Sequence, residues 1–288
     1  MEGENQSIFP QIIKAFGYVI VVYIVYMVLE TFYRAYLGYG KAKIQVYPYT
    51  GSRSVKIEQN PNNSSAITLP VSENQLTGIE FSYSTFVYIS DETDTNEEGW
   101  RTIFYKGYES SPFPLLGPGV FVSSKSSSSG APVLRVMMNT YENWFNPIDI
   151  NQIPFNKWFH LVIVMRGSAM EVYVNGNLAN KKSFSGTLPY QNYGSLNIFS
   201  NAKTSPVQDF TNTSDQTTNK KGIPPGENFV VHGKATGYVS NMFYFSYALS
   251  YSEIQNMMAL GPSKEFDQQN MDKPPYLIDS WWINQSKK

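Results

Sequence analysis

The sequence contains no cysteine. Disulfides, thiolate metal sites and cysteine nucleophiles are excluded with it. A domain facing the cytosol, where disulfides do not persist, fits that absence. Only two histidines are present, His160 and His232, which argues against a multi-histidine metal site or a histidine-based catalytic triad. Charge is also scarce: Asp, Glu, Lys and Arg make up 16% of the chain and the net charge is −1. No basic stripe offsets this balance, so the electrostatic footprint of a nucleic-acid binder is missing. Helical periodicity is absent between the β-like runs of the main domain, which argues against a parallel α/β sheet.

What the 288 residues do have is aromatic side chains, 15% of the total, and one long apolar run. Ala15 to Leu29, "AFGYVIVVYIVYMVL", is uncharged. With its flanks from Ile8 to Leu37 it reaches the roughly 20 residues that a bilayer-spanning helix needs. Its many Val and Ile residues are weak helix formers in water, but lipid forces the backbone to satisfy its own hydrogen bonds. Tyr18, Val22, Tyr26 and Leu29 are the residues expected to meet lipid, and Tyr33, Tyr36 and Tyr39 fall where an interfacial aromatic belt belongs. Glu30 and Arg34 are four apart, in the order that favours pairing on a helix. A cleaved signal peptide is the competing reading. Against it, the preceding "MEGENQ" is acidic and no small-residue cleavage site follows directly. Lys14 precedes the run, whereas Arg34, Lys41, Lys43, Arg53 and Lys56 follow it, so the positive-inside rule predicts a single-pass protein whose large C-terminal domain lies on the cytosolic face.

Beyond about residue 42 the pattern changes to short β-like runs broken by turn residues. They are Lys43 to Tyr49, Gly78 to Ser90, Arg101 to Lys106, Gly119 to Ser123, Val133 to Asn139, Trp158 to Arg166, Met170 to Asn175, Leu196 to Ser200 and Thr236 to Tyr247. Many short strands with polar turns indicate an antiparallel sandwich or barrel. Trp158 to Arg166 is apolar on both faces, as a central strand would be. Gly167-Ser168 suits a tight turn. Met170, Val172 and Val174 then alternate with Glu171, Tyr173 and Asn175, predicting one buried and one exposed face. Asn175-Gly176 accommodates the positive φ angles of a type I′ turn. After the last strand, Ser250 and Glu253 have capping-box spacing. Ile254, Met257 and Met258 form one apolar face, and Gly261-Pro262 ends the segment, so a short helix is expected at the rim of the sandwich.

"NKWFHLVIVMRGSAMEVYVNGNLANK" resembles the central hairpin of the concanavalin A-like, laminin-G-type jelly roll, with its tryptophan, histidine, apolar strand and "YVNG" turn. "GYVSNMFYFSYALSYSEIQNMMALGP" is similar to the way these domains close, and "GIEFSYSTFVYIS" and "WRTIFYKG" match earlier strands more loosely. The resemblance implies an all-β jelly-roll sandwich over residues 65–262. Ahead of it lie a membrane segment at 1–40 and a linker with the first strands at 41–64, and after it an extended aromatic tail at 263–288. The order of membrane helix, jelly roll and "DKPPYLIDSWWINQ" tail also resembles structural or minor capsid proteins of large DNA viruses with an internal membrane.

The fold hosts many activities, so function must come from sites. Glu92, Asp94 and Glu97 reproduce the E-x-D-x-x-E spacing of laminarinase-like glycosidases, which need two facing carboxylates. In those enzymes the motif lies on a strand with apolar residues between the acids. Here Thr93, Thr95 and Asn96 intervene, and the segment reads as a solvated loop, so no enzyme is expected. The same loop offers calcium the oxygens of Asp91, Asp94, Asn96 and Glu97, and no other cofactor is expected. His160 is expected to be a hydrogen-bonded core residue. The polar stretch from Asn201 to Asn228 and the low-complexity "SSKSSSSGAP" are natural contacts for neighbours. Tyr276, Trp281 and Trp282 serve either as a strap on the sandwich or as a partner-binding hook. The first expectation is a non-enzymatic, membrane-anchored structural protein that links a virion's inner membrane to its capsid proteins. The alternative is a membrane-tethered lectin binding glycan at the loop rim. A laminarinase-like glycosidase comes third.

Overall fold

The computed structural model describes residues 8–37, 42–72, 74–75, 78–90, 99–108, 114–123, 132–151, 153–184, 188–205, 227 and 229–267. The chain divides into two compact units, residues 1–41 and 42–288. In the first, α1 (Ile8–Leu37) is one continuous helix. Its segment Ile13–Tyr33 has the length and composition to cross a membrane, and none of it is buried. Tyr18, Val22, Tyr26 and Leu29 are exposed along it, as is Tyr33. A core helix would bury one stripe, whereas this one is apolar around its whole circumference. The side chains of Arg34 and Tyr36, and all of Tyr39, lie outside the described residues.

The second unit is a β-sandwich. Its strands in chain order begin with β1 (Lys43–Gly51), β2 (Val55–Ile57), β3 (Asn74–Gln75), β4 (Gly78–Ile89) and β5 (Trp100–Tyr108). There follow β6 (Leu115–Ser123), β7 (Val133–Met137), β8 (Pro147–Asn151), β9 (Trp158–Gly167) and β10 (Ala169–Val174). The last are β11 (Asn177–Ser183), β12 (Leu196–Ile198), β13 (Lys203–Thr204), β14 (Val231–Lys234) and β15 (Gly237–Phe245), before helix α2 (Tyr251–Leu260). Among the described residues the first sheet runs β1-β15-β4-β9-β10-β11, with β3 on β4, and the second runs β13-β14-β5-β6-β7-β8, with β12 on β5 and β2 on β12. Pairing is antiparallel except for β14 against β5. The neighbours β1–β15–β4–β9 are far apart in sequence, as expected where non-consecutive strands share a sheet.

Alternation along each strand builds the core. Phe81, Tyr83, Val87 and Ile89 of β4, and Phe159, Leu161, Ile163 and Met165 of β9, point between the sheets. There they meet Ile103, Phe104, Val120, Val122, Leu134 and Val136 of the second sheet. The intervening residues of β9 are buried too: Val162 and Val164 pack with Phe243, Phe245, Ile254 and Met257. Helix α2 therefore lies across the outer face of the first sheet, over its central strands, and not at the rim as its sequence position suggests. A strand apolar on both faces needs a cover on both, and α2 supplies the second. Its capping box is formed, with Ser250 accepting from the Glu253 amide and Glu253 accepting from the Ser250 amide, and Gly261 (φ 70°) ends it.

The hairpin of β9, β10 and β11 turns at Gly167 (φ 61°) and again at Asn175-Gly176 (φ 49° and 77°), the positive pair of a type I′ turn. The Asn175 side chain also accepts the His160 amide at 2.9 Å. One expectation fails here. Glu171, placed by alternation on the exposed face, is only 7% exposed. Lys181 (2.8 Å) and the Tyr173 hydroxyl (3.0 Å) close over its carboxylate, which keeps its pKa below the usual value despite burial.

Candidate functional site

β5 carries the side chain around which a polar pocket is built. The strand slips register against β6 twice, between Thr102 and Phe104 and again between Tyr105 and Gly107. Gly107 has φ 134°, and a side chain there would run into the Leu115 carbonyl. A methyl group on Gly194 would come within 2.5 Å of the Gly107 Cα, so two glycines let the segment after Tyr193 lie directly on the end of β5. The Gly107 amide donates to the Ser195 carbonyl at 3.0 Å across this contact. Asn192 locks it, donating to the Lys106 carbonyl at 3.0 Å and accepting from the Gly194 amide at 2.9 Å.

The result is a pair of main-chain carbonyls aimed at the Lys106 ammonium, those of Asn192 at 2.7 Å and Gly194 at 2.9 Å. Lys106 is 2% exposed. Burial without a facing carboxylate pushes its pKa down to about 8. Lys106 lines a cavity of about 50 Å³ together with Gln59, Thr68, Leu69, Val71, Gln191, Asn192 and Tyr193. Gln191 is held rigidly: it accepts from the Ser72 amide at 2.9 Å and donates to the Tyr244 hydroxyl at 2.7 Å. That hydroxyl, pushed up to about 12 by burial, donates in turn to the Pro70 carbonyl at 2.6 Å. Gln59 accepts from the Leu69 amide at 3.0 Å and donates to the Ile67 carbonyl at 2.9 Å.

One exposed ring lines this cavity, and another lies on a segment tied to the same loop. Tyr193 is 71% exposed beside the cavity. Tyr141, 72% exposed, meets Tyr190 edge-on at 5.0 Å. The segments bearing these rings are tied together: the Tyr190 amide donates to the Asn139 carbonyl at 2.9 Å and the Tyr141 amide to the Leu188 carbonyl at 3.2 Å. A polar recess beside flat, exposed rings on a rigid scaffold is an arrangement that can stack on one face of a small polar ligand and hydrogen-bond its substituents.

The sequence-derived candidates fall elsewhere. Asp91, Glu92, Asp94, Asn96 and Glu97 lie outside the described residues, as do Tyr276, Trp281 and Trp282, residues 124–131 and residues 206–226. Among the described residues no group of three or more His, Asp or Glu side chains is placed to hold a metal. His160 is fully buried, shares a 2.9 Å hydrogen bond with Ser84 Oγ and stacks on Phe86 at 4.7 Å, while its Nδ1 has no partner. It is a core residue. On the outer face of the second sheet, Arg135 lies over the Trp100 ring at 4.2 Å and holds both Asp149 oxygens at 2.7 and 2.6 Å, with Glu227 at 3.4 Å. These two carboxylates neutralise an arginine that lies among Trp144, Phe145 and Phe229.

Lys106 and Tyr193 were not singled out from sequence. "IFYKGYES" reads as an ordinary strand end, and only the lysine interrupting an apolar strand marks it. "YQNYGS" concentrates Tyr, Asn and Gly without a spacing that specifies a site.

Comparison with known proteins bears on the sandwich. Residues 61–213 match the Laminin_G_3 family model, described as the concanavalin A-like lectin/glucanases superfamily. No curated protein matches the chain. Among solved structures it is similar to the heptameric SAP-like pentraxin of Limulus polyphemus, at 14% identity and a TM-score of 0.42, over 78% of this chain and 84% of that one. It is also similar to the ligand-binding domain of botulinum neurotoxin serotype D, solved with N-acetylneuraminic acid, at 13% identity and a TM-score of 0.43, over 76% of this chain and 42% of that one. The sialidase of Trypanosoma rangeli, solved with the inhibitor DANA, matches at 17% identity and a TM-score of 0.38, over 62% of this chain and 22% of that one. The chain thus spans less than half the length of the toxin and sialidase chains.

Proposed function

The chain belongs to the concanavalin A-like lectin/glucanases superfamily, and from that premise we propose that it is a membrane-tethered, non-enzymatic binding protein that recognises carbohydrate at the tyrosine-framed end of its sandwich. The pocket of Lys106, Gln191 and Tyr193 is the observation that carries this reading. Its interior is too small for a sugar ring but large enough for one substituent, since a water needs about 10–15 Å³ of such space. The ring itself would then lie on Tyr193. Among the described residues catalysis has no comparable support: the carboxylate pair of the second sheet, Asp149 and Glu227, is committed to Arg135. A glycosidase needs one acid free to protonate a leaving group and one free to attack.

The test is a glycan array probed with the full chain in detergent micelles. Binding to a defined set of glycans that falls at least tenfold in Tyr193→Ala, with an unchanged melting temperature, supports the reading. Absence of binding to any glycan overturns it.

The same tether suits a second reading, a scaffold joining a virion's inner membrane to an overlying shell. The fully exposed apolar helix α1 favours it as much as the first. Recovery of the chain inside membrane-containing particles, cross-linked to capsid proteins through Trp281 or Trp282, would establish that role, and its recovery only outside such particles would exclude it. In either reading the Lys and Arg residues that follow α1 favour a sandwich on the cytosolic side. Protease added to sealed membranes checks this orientation: it should degrade the sandwich when applied from that side only.

A further inference from the structure

We propose that the substituent entering the pocket is a small oxyanion, the carboxylate or sulfate ester of an acidic sugar, received by Lys106. The inference rests on the carbohydrate reading above and makes it more specific.

Gln191 uses its oxygen on the Ser72 amide and its nitrogen on the Tyr244 hydroxyl. Asn192 uses both ends of its amide on Gly194 and Lys106 backbone groups. Gln59 is spent on Leu69 and Ile67. Gln59, Gln191 and Asn192 therefore have their main partners within the protein, while Thr68 and Tyr193 are exposed to solvent. Lys106 differs. An ammonium has three donors, and only two are taken, by the Asn192 and Gly194 carbonyls. The third has no acceptor among the described residues, and Lys106 lines the cavity while being 2% exposed.

Charge points the same way. Both acceptors of Lys106 are neutral carbonyls, and no carboxylate among the described residues is paired with it. The nearby Glu58 is committed to Lys56 at 2.7 Å and to the Ser195 hydroxyl at 3.0 Å. A buried unpaired cation is costly, and a methionine or glutamine in its place would remove that cost. At neutral pH the amine is still mostly protonated. A ligand group that only accepts hydrogen bonds and carries negative charge completes the site. A hydroxyl would satisfy the third N–H but leave the charge uncompensated.

Matched glycan pairs test this with the full chain in detergent micelles. The probes are immobilised glucosides against glucuronides, asialo- against sialyl-lactose, and unsulfated against sulfated lactose. Binding at least tenfold stronger to carboxylated or sulfated members supports the proposal, and the member preferred tells which oxyanion is taken. The preference should collapse in Lys106→Gln, with thermal melting confirming that the variant folds. The wild-type comparison stands alone should that variant not fold. Equal binding to neutral and acidic members overturns the proposal and leaves the carbohydrate reading intact. No binding to any probe overturns both.

Discussion

His160 and Lys106 are basic side chains held inside the sandwich, and burial acts on both in the same direction, penalising the charged form. His160 lies between the first sheet and its outer cover, where burial lowers its pKa to about 4. An unfolded histidine titrates near 6.5, so the unfolded chain binds the extra proton between pH 6.5 and 4 and the folded chain does not. The stability this histidine contributes is complete above pH 6.5 and is lost as the pH falls toward 4. By pH 4.5 the loss should be about 2–3 kcal/mol. Urea denaturation at pH 7.5, 5.5 and 4.5 measures it, and His160→Gln should flatten that part of the profile while lowering stability at pH 7.5. Glu171, whose pKa is lowered through Lys181 and Tyr173, acts only below the ordinary carboxylate range, so the two contributions separate by pH. Lys106 titrates from about 8 in the folded state toward its unfolded value of 10.5, and stability should rise with pH across that window.

At the scale of the element, two pieces of the architecture carry distinct roles. Helix α2 closes the outer face of the first sheet, and its capping box holds the first turn. Ser250→Ala should cost about 1 kcal/mol in thermal or urea unfolding without affecting glycan binding. Ile254→Ala removes a fully buried side chain between α2 and β9 and should cost about 2–5 kcal/mol. The contact of Gly107 with Gly194 does the opposite kind of work. Gly194→Ala puts a methyl group within 2.5 Å of the Gly107 backbone, so the loop must lift from the end of β5. The carbonyls that hold Lys106 move with it. Glycan binding should fall at least tenfold, a larger relative effect than the change in melting temperature; a bound fraction equal to wild type would place the ligand elsewhere.

For the molecule as a whole, the decisive feature is an apolar helix with no buried face, joined in sequence to a sandwich that buries its own apolar surface. Alkaline carbonate should leave the chain in the membrane fraction. Val22→Asp with Val25→Asp introduces two charges near the middle of the span, each costing about 2.5–3.5 kcal/mol on the insertion scale, and should release the chain into the soluble fraction. Release of the wild-type chain by carbonate would refute the tether.

The separation of a long apolar helix from a β-sandwich was legible in the amino-acid order, because both rest on local patterns: an uninterrupted apolar run, and alternation at period two. The Asn175-Gly176 turn and the Ser250–Glu253 cap were legible for the same reason, since each depends on residues within four positions of one another. The seat of α2 was not, because it depends on what covers the second face of β9, and β9 and α2 are some ninety residues apart; burial of Glu171 was not, because strict alternation does not show that Lys181 of β11 and Tyr173 close over its carboxylate. The pocket was hidden for a stronger form of that reason. Its parts come from residues 59–71, from Lys106 and from 191–194, and what makes it a site is the absence of a carboxylate beside a buried amine. Sequence alone determined that the chain folds as a sandwich behind an apolar helix. Only the tertiary structure decided where a charge is left without a partner, since that follows from long-range packing and not from any neighbour along the chain.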